Sequence, residues 1–263
     1  MTTLSSDPKV VTAAISEALK EAPKEIVTVA PADNEVTLPG GYISPGGVLV
    51  KYAEVKELNG ADEEAISRAG SLARSLEVIL QRGVVSVGGE PVGKSTLDDM
   101  LSADRDALLL AIRRITFGDT VEYRALCTCG VEQTFTIDLV ADIPIVELDN
   151  PIHDREWSVK IKSGTVVLAL PNGVTQKKLI EATDKTTAEL STVLLSGCVQ
   201  SINGKISINS SMVLNLGMLE REKLIEEIVA HNPGPRLGEV KKTCEACGEP
   251  IETPLSLVAL FRL

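Results

Sequence analysis

The sequence predicts an α+β fold: an internally duplicated helix and β-hairpin domain whose two copies meet at a zinc-ribbon-like junction of four cysteines. Three observations carry this. Helical and strand-type patterns alternate in the same order in the two halves of the chain. Each half ends in a β-prone segment folded around a cysteine pair. The core must come from Val, Ile, Leu and Ala, because 44% of the 263 residues are hydrophobic but only 3% are aromatic.

The first copy opens at Ser44-Pro45-Gly46-Gly47-Val48-Leu49-Val50 and the second at Lys162-Ser163-Gly164-Thr165-Val166-Val167-Leu168. An Asn-Gly pair follows in each, Asn59-Gly60 and Asn172-Gly173, and then a helix with Asp62 or Thr175 as its expected N-cap. Leu76, Ile79 and Leu80 lead to Gly83 and a Val85-Ser86-Val87-Gly88-Gly89 strand and turn. In the second copy Leu190, Val193 and Leu194 lead to Gly197 and Gln200-Ser201-Ile202-Asn203-Gly204. The helices at Asp104-Arg105-Asp106 and Glu220-Arg221-Glu222 both open acidic, which suits the positive end of a helix dipole. Matched residues lie about 113 to 118 positions apart, a spread that small insertions explain. This gives three regions: an N-terminal helix and extended arm over 1–40, copy one over 41–148 and copy two over 149–263. In the arm, Val11, Ala14, Ile15 and Leu19 place an amphipathic helix over Pro8 to Ala22.

Composition excludes several functions. The net charge is −11, with an isoelectric point near 4.8, so the chain repels phosphate backbones and nucleic-acid binding is disfavoured. Apolar runs such as Ala107 to Ile112 are too short for a bilayer, and the amino terminus carries no secretory pattern, so no membrane partner and a cytosolic location are expected. In a reducing compartment five cysteines argue for metal or free thiols over disulfides.

Cys127-Thr128-Cys129-Gly130 sits between two alternating runs, Thr120 to Leu126 and Glu132 to Ile137. Cys244-Glu245-Ala246-Cys247-Gly248 sits between Glu239 to Thr243 and Pro250 to Thr253. Such a turn aims backbone amides at the sulfurs, and the following glycine permits the bend. Two facing knuckles give a tetrahedral four-cysteine shell. Neither copy alone has enough ligands, so Cys127, Cys129, Cys244 and Cys247 are predicted to share one structural zinc per chain about a pseudo-twofold. Free thiols, or a redox pair at Cys244 and Cys247, are the competing readings; the redox one lacks a helix directly after the motif. The first knuckle, C-x-C, is one residue shorter than the usual spacing. Cys198 is expected to be a buried small hydrophobe, and His153 and His231 ordinary surface or loop residues.

Gly88-Gly89-Glu90-Pro91-Val92-Gly93-Lys94-Ser95 matches the G-x-x-x-x-G-K-[ST] phosphate-binding pattern. Its counterpart in copy two, Asn203 to Ser210, keeps the turn but lacks Gly-Lys, so the shared element reads as a strand and turn. No nucleophile elbow or recognisable carboxylate pair is present, and a closed four-thiolate site has no open position, so no enzyme is expected.

The run Pro45-x-Gly47-x-x-Val50, the helix Leu101 to Ile112 with Asp104-Arg105, the segment Arg113-Arg114-Ile115-Thr116-Phe117-Gly118-Asp119, and the knuckle followed by Phe135-Thr136-Ile137-Asp138-Leu139 resemble the baseplate hub assembly proteins of T-even-like contractile-tailed phages. The resemblance covers residues 42–145 and is fainter in the second copy; the C-x-C knuckle and the amino-terminal extension depart from it. It implies a non-enzymatic phage protein that acts in, or assists assembly of, the tail baseplate hub. Its partners would be other tail and baseplate proteins, with an oligomer possible. Its location would be the host cytoplasm during assembly, or the virion tail. A nucleotide-binding protein using Gly88 to Ser95 and a zinc-ribbon adaptor are the alternatives.

Overall fold

The computed structural model describes residues 34–182, 184–206 and 209–261, which lie in one compact unit. The amphipathic helix read over Pro8 to Ala22 lies outside the described residues. The fold is α+β, with all its strand pairs antiparallel among the described residues.

The first half begins with strands β1 (Glu35–Ile43) and β2 (Leu49–Val55), joined by the Ser44–Gly47 turn. Helices α1 (Gly60–Ser67) and α2 (Leu72–Gly83) follow, then β3 (Val84–Val87) and β4 (Glu90–Pro91). The sheet order is β1-β2-β3-β4. A short helix α3 (Lys94–Asp99) leads to the long α4 (Ser102–Phe117), and the hairpin β5 (Thr120–Leu126) and β6 (Glu132–Asp138) closes the half. After a two-residue β7 (Ile145–Val146), the second half has β8 (Glu156–Ile161), β9 (Gly164–Ala169), α5 (Gly173–Glu181), α6 (Thr187–Cys198) and β10 (Val199–Ile202). Helices α7 (Ser210–Leu214) and α8 (Met218–His231) and the short β11 (Gly234–Pro235) precede the hairpin β12 (Lys241–Thr243) and β13 (Pro250–Glu252). The terminal helix α9 (Leu257–Phe261) returns to the first half, where Arg113 Nε donates to Leu260 O at 2.7 Å.

Local chemistry recurs between the halves. The sheet β8-β9-β10 has the order of β1-β2-β3. The Ser44–Gly47 and Lys162–Ser163 segments are the hairpin turns inside these sheets, so a strand precedes each of them. Asn59 and Asn172, not Asp62 and Thr175, are the N-caps. Their side chains accept from the Asp62 and Thr175 amides at 3.2 and 3.1 Å, so those two residues stand one turn inside the helix. The twelve-residue α2 and α6 end at Gly83 and Cys198, so the structural register pairs these two residues and Gly197 falls one position out. The turn after β3 has Gly88 and Gly89 at φ +61° and +82°; the turn after β10 has Asn203 and Gly204 at +52° and +76°. Two successive positive φ values are the hairpin turn that fits right-handed strand twist.

The halves differ in burial. Helix α4 lies at the centre: Leu108, Leu109 and Ile112 pack with Leu38, Val55, Ile79 and Leu80 into the main core. Its charges are inside as well. Asp104 is 0% and Arg105 2% exposed, so the acidic opening of α4 serves a buried contact and does not simply answer the helix dipole from solvent. Asp104 Oδ1 accepts from the Gly40 amide at 2.7 Å and faces Arg155, whose guanidinium donates to the carbonyls of Gly40 and Gly41. The second half keeps a smaller core of Val166, Leu168, Leu195, Cys198, Leu224 and Ile228. There burial pushes the Cys198 thiol up to about 12, consistent with a small hydrophobe. His231 is more than a surface residue: its ring stacks on Trp157 at 4.3 Å between centroids.

The halves meet through α5. An antiparallel bridge pairs Leu101 with Asn172, the Ser102 amide donates to Pro171 O at 2.9 Å, and the Gly173 amide donates to Met100 O at 2.9 Å. A Cβ on Gly173 would stand 2.3 Å from Leu97 O, so only glycine admits this approach. Arg105 Nε donates to Gln176 Oε1 at 2.7 Å, Nη1 to Leu97 O at 2.7 Å and Nη2 to Glu77 Oε2 at 3.0 Å. Lys177 pairs with both Glu77 and Asp98.

Burial pushes the Asp104 carboxyl up to about 6 and that of Asp106 to about 7, against the lowering effects of the Gly40 amide and Arg155, and of Gln176 and Arg105. Between the ordinary carboxylate range and these raised values the folded chain binds more protons than the unfolded one, so stability rises as pH falls through about 7 to 5. Asp138, Asp142, Glu189 and Glu220 are held below their usual range and reverse the trend in stronger acid. Urea unfolding across pH 5 to 8 checks this, with Asp104→Asn flattening the slope.

Candidate metal centre

Hairpin β5–β6 pairs in full register from Thr120 with Asp138 to Leu126 with Glu132, and β12–β13 pairs Lys241 with Glu252 to Thr243 with Pro250. Alternation along β5 and β6 turns Ala125 and Phe135 toward the second hairpin, where Ile251 meets them. These side chains, with Cys127 and Cys244, form a small apolar cluster apart from the two main cores.

Both turns are built alike despite their different lengths. The Cys127 amide donates to Val131 O at 3.0 Å and the Cys244 amide to Glu249 O at 2.9 Å. The glycine amide then returns to the carbonyl of the first cysteine, Gly130 to Cys127 at 2.9 Å and Gly248 to Cys244 at 2.8 Å. One residue fewer in the first knuckle therefore tightens the turn from an i→i+4 to an i→i+3 closure. Gly130 and Gly248 both sit at positive φ, +85° and +78°. The short C-x-C spacing still delivers both sulfurs.

The knuckles face each other. Cys127 Sγ lies 3.6 Å from Cys247 Sγ and Cys129 Sγ 3.8 Å from Cys244 Sγ; all four sulfurs lie within 4.8 Å of one another. Exchanging first for first and second for second cysteine converts one of these pairs into the other. The helical bodies lack this exchange, because α5 of the second half covers α3 and α4 while the starts of α7 and α8 stay open. The sulfur spacing suits a metal: a tetrahedral shell with bonds of about 2.3 Å has neighbouring sulfurs about 3.8 Å apart. The Cys129 amide, aimed back at the first sulfur, holds the Cys127 thiol down to about 6, while the neighbouring sulfurs push the Cys129 and Cys247 thiols up, so the cluster without a cation favours one thiolate and not four. The four residues can hold a metal ion, and its full shell of sulfur would make it a structural clamp.

Gln133 was not singled out by its sequence. From β6 its Nε2 donates to Cys244 Sγ at 3.4 Å while its Oε1 accepts from the Glu245 amide at 3.1 Å, tying one knuckle to the other. Lys242 pairs with Asp142 and holds its carboxyl below the ordinary range. Gln133 shares the inward face of β6 with Phe135 and Ile137, but strand alternation gives only that face and not the partner a polar side chain finds there.

Residues 88–95 make a β-hairpin turn, the strand β4 and the start of α3. A phosphate-binding loop needs a parallel strand running into one continuous loop and helix, whereas β3 is antiparallel to both its neighbours. Nucleotide titration is expected to give no saturable binding, with wild type and Lys94→Ala alike; binding lost in the variant would reverse this.

Fold and site together define an α+β protein whose two halves are closed by a four-cysteine cluster. A family model described as T4 bacteriophage base plate protein matches residues 90–248, more than half of the chain, and the chain belongs to this family. The match runs through both knuckles; of the 42–145 stretch that carries the resemblance it takes in 90–145 and leaves 42–89 unmatched, and it extends on to 248. No curated protein and no solved structure matches. Among the described residues, no helix is long and apolar enough to cross a membrane.

Proposed function

We propose that the chain is a non-enzymatic structural or assembly component of the baseplate hub of a contractile phage tail, built from two copies of one unit. Copy one is 41–148 together with β1, and copy two is 149–263. One structural zinc on Cys127, Cys129, Cys244 and Cys247 clamps the copies together. The observation that carries this reading is the convergence of four sulfurs from two separate hairpins in a chain of the base plate family. The recurring element order, the shared Asn caps and the paired turns support the duplication. Four thiolates in a closed shell favour zinc over oxygen-seeking cations. The chain acts by contact with other tail and baseplate proteins in the host cytoplasm during assembly or in the virion tail.

Pull-down of the tagged chain from infected cells is expected to recover baseplate or tail-tube proteins. Its absence from both virions and assembly intermediates would overturn the proposal. Retention on DNA at low ionic strength would favour the adaptor reading instead, and the charge of −11 argues against it.

A further inference from the structure

The contact between the halves is one-sided, and this leaves two complementary faces without a partner. In the first half, Ser102 and Ala103 at the start of α4 are 7% and 1% exposed because the Pro171–Gly173 segment and Gly234 lie on them. At the corresponding start of α8, Met218 and Leu219 are 88% and 81% exposed, and Leu214 at the end of α7 is exposed beside them. Three large apolar side chains thus face solvent where the first half has a covered joint. The covering element has an unused equivalent too. Helix α5 covers α3 and α4 with Asn172, Gly173 and Gln176, whereas the Asn59, Gly60 and Glu63 that correspond to them on α1 are exposed.

The arginines sharpen the match. Arg105 and Arg221 both donate from Nη1 to a carbonyl eight residues upstream, Leu97 and Val213, and from Nη2 into the preceding long helix, to Glu77 and Thr192. Arg105 spends its remaining Nε on Gln176 of the covering helix. Among the described residues no acceptor meets Arg221 Nε, and the residue on α1 that corresponds to Gln176 is Glu63, a carboxylate of opposite charge.

We infer that the chain assembles head to tail with a second copy of itself, the α1 face of one chain (Asn59, Gly60, Glu63) seating on the α7–α8 face of the next (Leu214, Met218, Leu219, Arg221). The inference rests on the repeat reading above. The contact joins two different surfaces, so it propagates into a ring or a filament and does not stop at a twofold dimer.

Sedimentation velocity of the full chain over a hundredfold concentration range tests it. Wild type is expected to associate beyond a dimer. Met218→Glu and, on the other face, Glu63→Lys each weaken association at least about tenfold. Both sites are exposed, so circular dichroism should match wild type. The deciding arm is the mixture: Met218→Glu keeps its α1 face and Glu63→Lys its α7–α8 face, so together they form a 1:1 complex that grows no further. A wild type monomeric throughout, or variants that assemble as wild type does, or a mixture that stays monomeric, overturns the inference. A monomeric wild type that still binds one zinc per chain leaves the repeat reading standing and removes only the assembly.

Discussion

Replacing Cys244 with serine is expected to take bound zinc from about one per chain to near zero and to loosen the knuckle ends of both hairpins. The reason lies in how little else holds these ends. Their apolar cluster is Cys127, Phe135, Cys244 and Ile251 with Ala125 packed against it, and two of these side chains are proposed ligands. A two-stranded hairpin is marginal in water without such support. Structural zinc contributes about 10–16 kcal/mol in small zinc-dependent peptides. The loss should stay at the knuckle ends, since Ile137, with Val121 and Tyr123 packed against the same cluster, anchors the base of β5–β6 in the main core, and Val240 and Leu255 flanking β12–β13 lie in it too. Metal analysis with hydrogen exchange on β5, β6, β12 and β13 reads both effects. Cys198→Ala, whose sulfur lies in the second core, should keep its zinc in full. Two zinc ions per wild-type chain, or none, would break the shared-site reading.

Arg105→Ala is expected to destabilise the chain by about 3–5 kcal/mol, the range for removing one partner of a buried ion pair. Its guanidinium, 2% exposed, satisfies Glu77, Gln176 and Leu97 O at once, and so links α2, α3, α4 and α5. Truncation takes the buried guanidinium from Glu77, which keeps only Lys177 and the exposed Gln81 amide, and strands the Leu97 carbonyl. Arg221→Ala, at a half-buried site with solvent beside it, should cost clearly less. Equilibrium urea unfolding of the two variants compares them, and equal losses would refute the account of the joint.

Much of the metal site was legible because its signals are local. The strand runs around Cys127 became β5 and β6 almost to the residue, and the second knuckle likewise lies between two strands. The resemblance led to the family that the comparison supports. The apparent phosphate loop was discounted on its sister turn, and both turns have successive positive φ values. The caps were misplaced because Asn59 and Asp62 bond each other reciprocally; either side chain alone reads as a cap, and only backbone geometry separates the two roles.

By itself the sequence determined the α+β class, the strands around the knuckles, the four cysteines and the burial of Cys198, because periodicity, turn chemistry and cysteine spacing act over a few residues, whereas the strands that open each half, β1 and β8, were not read from it. Tertiary structure alone decided which of the two acidic-Arg-acidic helices became the buried centre. It also decided that Arg105 would reach Glu77 and Gln176, 28 and 71 residues away, and that the cysteine knuckles would pair symmetrically while the bodies joined on one side only. A helix pattern specifies which face seeks cover. The identity of the covering surface is a property of the packed whole, where a hydrophobic face accepts any partner of fitting shape and the buried charges select among them.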